Sequence, residues 1–163
     1  LVPADMYLLA TLATKQGGGT NTRLLAEEAK RIIRSKARRI KDLSLEDDLS
    51  IRHISRYIDK GVPILWQMAS LTKYNEAANK FTEKRQSVED FSGWASTIAT
   101  AAEELAPDLH NTDKHHICMI IGYNEKTLEI AVSDSWGPRY ALRWIHIDIA
   151  KAVTSGGGFV IDL

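Results

Sequence analysis

The chain has 163 residues, 44% of them apolar and 26% charged, enough for one domain with a core of its own. Its 21 basic and 21 acidic residues cancel, so nothing global marks a nucleic-acid binder or a protein of anionic membranes, and no apolar run is long enough to cross a bilayer. A single cysteine, Cys118, excludes an internal disulfide and leaves stability to packing, which suits a reducing compartment without assigning one.

The chain opens "LVPADMYLL", with neither an initiator Met nor a signal-peptide pattern, and reads as a piece of a longer protein. "DMYLLATLA" carries Met6, Leu8, Leu9 and Leu12 at helical spacing and stops at Gly17-Gly18-Gly19. Thr20, Asn21 or Thr22 can cap a second helix, whose Leu25, Ala29, Ile32, Ile33, Ala37 and Ile40 form one apolar face. Glu27 and Glu28 near its start, and the basic residues among 30–41 towards its end, match the helix dipole. Ser44 with Asp47 can open a third helix, with Ile51, Ile54 and Ile58 inside and Gly61 at its end. Val62 before Pro63 is pushed to an extended conformation, and "PILWQM" predicts a short buried strand.

Residues 72–85 predict an amphipathic helix through Tyr74, Ala77, Ala78 and Phe81. Ser87 with Asp90 can cap another, whose face is Phe91, Trp94, Ala95, Ile98, Ala102 and Leu105 and which Pro107 closes. The last third changes period. Ile117 to Ile121 is a continuous apolar run, as in a strand covered on both faces. Leu128, Ile130 and Val132 alternate with Glu129, Ala131 and Ser133, and "YNEKT" between the two runs is turn-like. "ALRWIHIDI" alternates as well, and "GGFVIDL" reads as a final strand. Helices first and strands second predict the α+β class. Neither glycine triplet, 17–19 or 156–158, has the Gly-Lys-Ser/Thr ending of a phosphate loop.

If residues 116–122 pair with 128–134 across a loop of about five residues, His116 faces Asp134. Cross-strand neighbours lie about 4.5–5.5 Å apart at Cβ, close enough for an imidazole and a carboxylate to bond. Such a carboxylate fixes the imidazole tautomer, which a general base needs. The same spacing also fits a plain hairpin in which His116 ends a strand and Asp134 caps a turn, and a slip of one residue would put Ser135 opposite His116.

The residue strings "HICMIIGYN" and "VSDSWG" resemble the His and Asn strands of papain-like cysteine peptidases. The resemblance implies a papain-like α+β fold, N-terminal helices followed by an antiparallel sheet, over a single domain of residues 1–163. By its position alone, a helical insertion at about 69–114 could overhang the cleft and set specificity. It implies His116 as general base, Asp134 as its orienting residue, and Trp136 and Gly137 as supports, Trp136 shielding the pair from water. Asp in place of Asn is similar to the bacteriocin-leader-processing, double-glycine type, in which Pro usually follows the Asp; here Ser135 does. "GGGTN" and "DKGVPILW" look like bacterial proteins of that type. No cofactor and no metal are implied, and the partner is a peptide or protein substrate. Oligomeric state and localisation are not implied.

Such enzymes need a thiolate at a helix N-terminus. No residue from 1 to 115 is Cys, and Gln16 lacks the context of the family's oxyanion-hole Gln, so the nucleophile and its helix are expected upstream of Leu1 and the chain alone is expected to be inactive. A domain that never had the nucleophile, gripping peptide without cutting it, is the alternative. Cys118, two residues from His116 on a strand, lacks a helix dipole and reads as a buried core residue. His110, Asp113, His115 and His116 match no standard zinc spacing. "WIHID" puts Trp144, His146 and Asp148 on one strand face as a surface pair, and His53 carries no evident role. Trp66 and Trp94 read as packing residues. The basic stretch 30–41 leaves a helical nucleic-acid binder as a third reading, one that zero net charge and the lack of interleaved aromatics disfavour.

Overall fold

A computed structural model describes residues 14–15, 19–20, 24, 27, 30, 39–109 and 115–162. The chain forms two compact units, Leu1–Lys41 with Ile161–Leu163, and Asp42–Val160. In the first, strands β1 (Thr14–Lys15) and β2 (Gly19–Thr20) pair antiparallel, Thr14 against Thr20 and Lys15 against Gly19. The helix expected at 5–13, residues Gly17 and Gly18, and the apolar face from Leu25 to Ala37 lie outside the described residues. Ile40, expected on that helical face, instead lies in strand β3 (Arg39–Leu43).

The second unit holds four helices among the described residues and strands in the order β8-β4-β5-β6-β7, where β4 is Ile64–Ala69, β5 His115–Asn124, β6 Glu129–Ser133, β7 Arg143–His146 and β8 Thr154–Asp162, of which residues 154–160 fall in this unit. The pairs β8–β4, β4–β5, β5–β6 and β6–β7 are antiparallel. The architecture is therefore α+β, and no helix among the described residues is long and apolar enough to cross a membrane.

Helix α1 (Ile51–Ile58) begins at Ser50, whose Oγ accepts from His53 N–H at 3.2 Å. The expected start at Ser44 and Asp47 is a turn instead, in which the Asp47 and Asp48 N–H groups donate to the Ser44 carbonyl. Leu45 and Leu49 are both sunk in the core, and that anchoring decides where the helix can start. Gly61, at φ 71°, makes the left-handed reversal after the helix and leads into β4.

Helices α2 (Thr72–Gln86) and α3 (Phe91–Leu105) fall close to where periodicity puts them. Asp90 alone caps α3, accepting from Ser92 N–H at 2.9 Å and Gly93 N–H at 3.2 Å. Ser87 finishes α2, its hydroxyl donating to the Lys84 carbonyl. Phe91 is exposed rather than on the inner face, while Trp94, Ile98 and Ala102 are buried. Pro107 closes α3 within a 3-10 turn, Ala106–Asp108. Tyr74 and Ala78 of α2 and Ala102 of α3 belong to the same core as Ile64, Trp66, Cys118 and Ile120.

Two strand expectations change. Leu128 is 45% exposed at φ 51°, in the turn, and Glu129 to Val132 are all buried. Successive strand residues point to opposite faces, so β6 is covered on both and the alternation in its sequence does not sort inside from outside. "ALRWIHIDI" is not one strand: β7 stops at His146, and α4 (Ile147–Val153) follows, burying Ile147, Ile149, Ala150 and Val153. β8 passes so close to its neighbours that a Cβ at Gly158 would overlap Leu45 Cδ1 and the Leu65 carbonyl oxygen.

Candidate active site

β5 and β6 form the expected hairpin in a different register. Met119 pairs with Ser133 and Ile120 with Val132, so continuing the ladder sets Asp134 opposite Cys118 rather than His116. The turn sits at Glu125–Leu128, further along the chain than "YNEKT" suggests, and a bulge between Ile120 and Gly122 offsets part of the resulting shift. Asp134 also lies just past the end of β6. The two side chains meet diagonally all the same: His116 Nε2 and Asp134 Oδ1 are 2.9 Å apart. Diagonal neighbours are within reach of long side chains.

The Asp134 side chain is fully buried and that of His116 18% exposed. Asp134 N–H donates to the Tyr140 carbonyl at 2.9 Å, which fixes where the loop after β6 turns back. That turn uses Gly137 at φ 111°, a conformation L side chains rarely adopt, followed by a 3-10 turn over Pro138–Tyr140. Between them Trp136 stacks on the His116 ring, centroids 4.2 Å apart and planes at 27°, and meets Tyr140 edge-on at 5.7 Å. Trp136 is itself 45% exposed, so it covers one face of the imidazole and stands at the surface.

With Nε2 held by the carboxylate, Nδ1 of His116 has no hydrogen-bond partner among the described residues. A neutral imidazole donating from Nε2 presents a basic lone pair at Nδ1, which is the state a general base requires.

Arg143 was not singled out in the sequence, yet it completes the cluster. Its Nη2 donates to Asp134 Oδ2 at 3.2 Å and its Nη1 to Asn75 Oδ1 at 2.8 Å. Its guanidinium lies 4.9 Å from the Tyr140 ring centroid and 5.7 Å from that of Tyr74. One signal could have found it: Arg143 falls in phase with buried Ile145, an apolar position in the alternation of β7.

Cys118 lies in the core, its thiol 3.7 Å from Met68 Sδ. Burial, and after it the Asp134 charge, pushes that thiol well above its ordinary range, the reverse of what a nucleophile needs. Tyr74 beside it is likewise pushed up, by burial first, and its hydroxyl has no partner among the described residues. His115 and His116 turn to different partners, His115 Nδ1 lying 2.9 Å from Ser155 Oγ. His110, Asp113 and Gln16 lie outside the described residues.

His146 does pair with Asp148, Nδ1 to Oδ2 at 3.6 Å, though not on one strand face. It is buried at the end of β7, and its Nδ1 accepts from Asp148 N–H at 3.4 Å, at the start of α4. Burial lowers its basicity, with Asp148 and Glu129 opposing. His53 has a local role, its Nδ1 2.8 Å from the Asp48 carbonyl. Trp66 is core, donating to Thr154 Oγ1 at 3.0 Å, and Trp94 donates to buried Glu129 at 3.1 Å.

A model of the Peptidase_C39 like family matches residues 13–154. The chain belongs to that family. No curated protein and no solved structure matches it. Membership supports peptide hydrolysis of the cysteine type as the activity of this fold. The match spans β5, β6 and β7, and with them the cluster of His116, Asp134, Trp136 and Arg143.

Proposed function

We propose that this chain supplies the base and the orienting acid of a Cys-His-Asp peptidase, His116 and Asp134, for a cysteine that lies outside these 163 residues. The observation that carries the reading is the 2.9 Å bond from His116 Nε2 to buried Asp134, with Trp136 stacked on the ring and Nδ1 without a hydrogen-bond partner among the described residues. In that mechanism Nδ1 takes the thiol proton, and the thiolate attacks the scissile carbonyl carbon. Collapse of the tetrahedral adduct passes the proton from Nδ1 to the departing amine and leaves a thioester. Water, deprotonated by the same Nδ1, then releases the acid and restores the thiol. Asp134 holds the ring in one tautomer throughout, and Trp136 and Gly137 shape the loop that covers it.

Residues 1–163 are read as one peptidase domain, with 69–114 elaborating it. The double-glycine leader-processing type is the favoured subtype, on the Asp in "VSDSWG". A second reading has its own support: the chain's one cysteine is buried against Met68, which suits a module that binds peptide without cutting it.

The test is to compare the chain alone with the full product of its gene on a panel of peptides. The full product is expected to cleave, His116→Ala to abolish cleavage and Asp134→Ala to reduce it at least a hundredfold, on the order of general-base contributions. The chain alone is expected to be inert. Wild-type turnover in His116→Ala, or cleavage by the chain alone, overturns the reading; a full product that binds peptide and never cleaves it favours the module.

A further inference from the structure

We infer that Arg143, held by Asn75, is a positioning residue for the proposed His116–Asp134 pair, an inference that rests on the function proposed above. A carboxylate with a single hydrogen bond can turn about its last side-chain torsion, because terminal sp³–sp² torsions are broad. Asp134 cannot turn in this way. Oδ1 faces His116 at 2.9 Å and Oδ2 accepts from Arg143 at 3.2 Å, so both oxygens are fixed at once. Arg143 is fixed in turn by Asn75 on α2 and by the rings of Tyr74 and Tyr140. The chain of contacts runs from α2 through Asn75, Arg143 and Asp134 to the imidazole, and it makes the segment 69–114 part of what aims the base.

Core stability alone does not account for a cation there. Arg143 is 1% exposed and its Nε has no hydrogen-bond partner among the described residues, so the guanidinium is desolvated and incompletely satisfied there. Apolar residues in place of a buried ion pair are often no less stable. What apolar residues cannot supply is a countercharge for Asp134 when His116 is neutral, together with a second point of attachment that keeps Oδ1 on Nε2. The proton balance at the imidazole follows: neutral His116 carries its proton on Nε2, and Nδ1 stays free to accept another.

The experiment is long-range ¹H–¹⁵N NMR of the imidazole nitrogens in the 163-residue chain at neutral pH, which reads tautomers without needing turnover. Wild type is expected to show His116 as the Nε2–H tautomer. Asn75→Ala and Arg143→Met are expected to raise the Nδ1–H form about tenfold, a ratio in keeping with losing part of one charge-assisted hydrogen bond. Arg143→Lys, which keeps the charge, is expected to restore most of the wild-type pattern. If Arg143→Met fails to fold, Asn75→Ala decides, because it leaves the ion pair in place and removes only its brace. A wild-type tautomer kept in every folded variant overturns the positioning role and leaves the His116–Asp134 pair standing. A wild-type chain without the Nε2–H tautomer removes the pair itself, and the proposed function with it.

Discussion

Removing the Asp134 carboxylate should destabilise the fold far more than removing the imidazole it faces. Asp134→Ala strands the Arg143 guanidinium, which is 1% exposed, without its anion. Breaking a buried pair from one side costs about 3–5 kcal/mol, and the lost bond to His116 adds about 1 kcal/mol. His116→Ala leaves the Asp134–Arg143 pair intact. It loses one hydrogen bond and the stacking on Trp136, together about 2 kcal/mol. For a domain of this size in urea, with a slope of about 2 kcal/mol/M, the midpoint should fall by about 2–3 M for Asp134→Ala and about 1 M for His116→Ala. The double substitution Asp134→Leu with Arg143→Met should recover most of the loss, to within about 1 kcal/mol of wild type, since neither charge is then buried alone. Urea titration followed by tryptophan fluorescence and far-UV circular dichroism reads all four proteins. Equal shifts for the two single variants, or a double variant as unstable as Asp134→Ala, would show that Arg143 is not the carboxylate's partner.

Other consequences are independent of this one. His146 is buried and its basicity lowered, so the folded state binds fewer protons there than the unfolded state does between its lowered pKa and about 6.5. Stability should therefore be level above about pH 7 and decline as pH falls through that window; His146→Asn, which keeps a cap at the start of α4, should flatten the decline in urea midpoints measured at several pH values. Trp94→Phe keeps the packing but removes a donor to buried Glu129 and should cost about 1.5–3 kcal/mol in the same titration, with a cost near zero excluding that bond. Cys118 in the native chain should react with a disulfide reagent at least a hundredfold more slowly than in urea, in line with an opening-limited thiol; labelling at the denatured rate would refute its burial.

The sequence by itself determined what depends on neighbours within about one helical turn. Periodicity marked α2 and α3, apolar runs marked β4 and β5, alternation marked β6 without sorting its faces, and the string of residues around His116 and Asp134 pointed to one family. Caps are less legible, Ser50 rather than Ser44 starting α1 and Asp90 capping α3 without Ser87, because a serine or aspartate caps only where the core lets the helix begin. Tertiary structure alone decided the register of the hairpin, since the placement of its turn and the bulge at Ile121 are settled by which side chains can be buried on both faces of β6. It likewise turned residues 147–153 from strand to helix and carried Arg143 and Asn75, 68 residues apart, into contact beneath the acid. Those contacts cross the chain, and no pattern of local spacing encodes which distant residues packing will bring together.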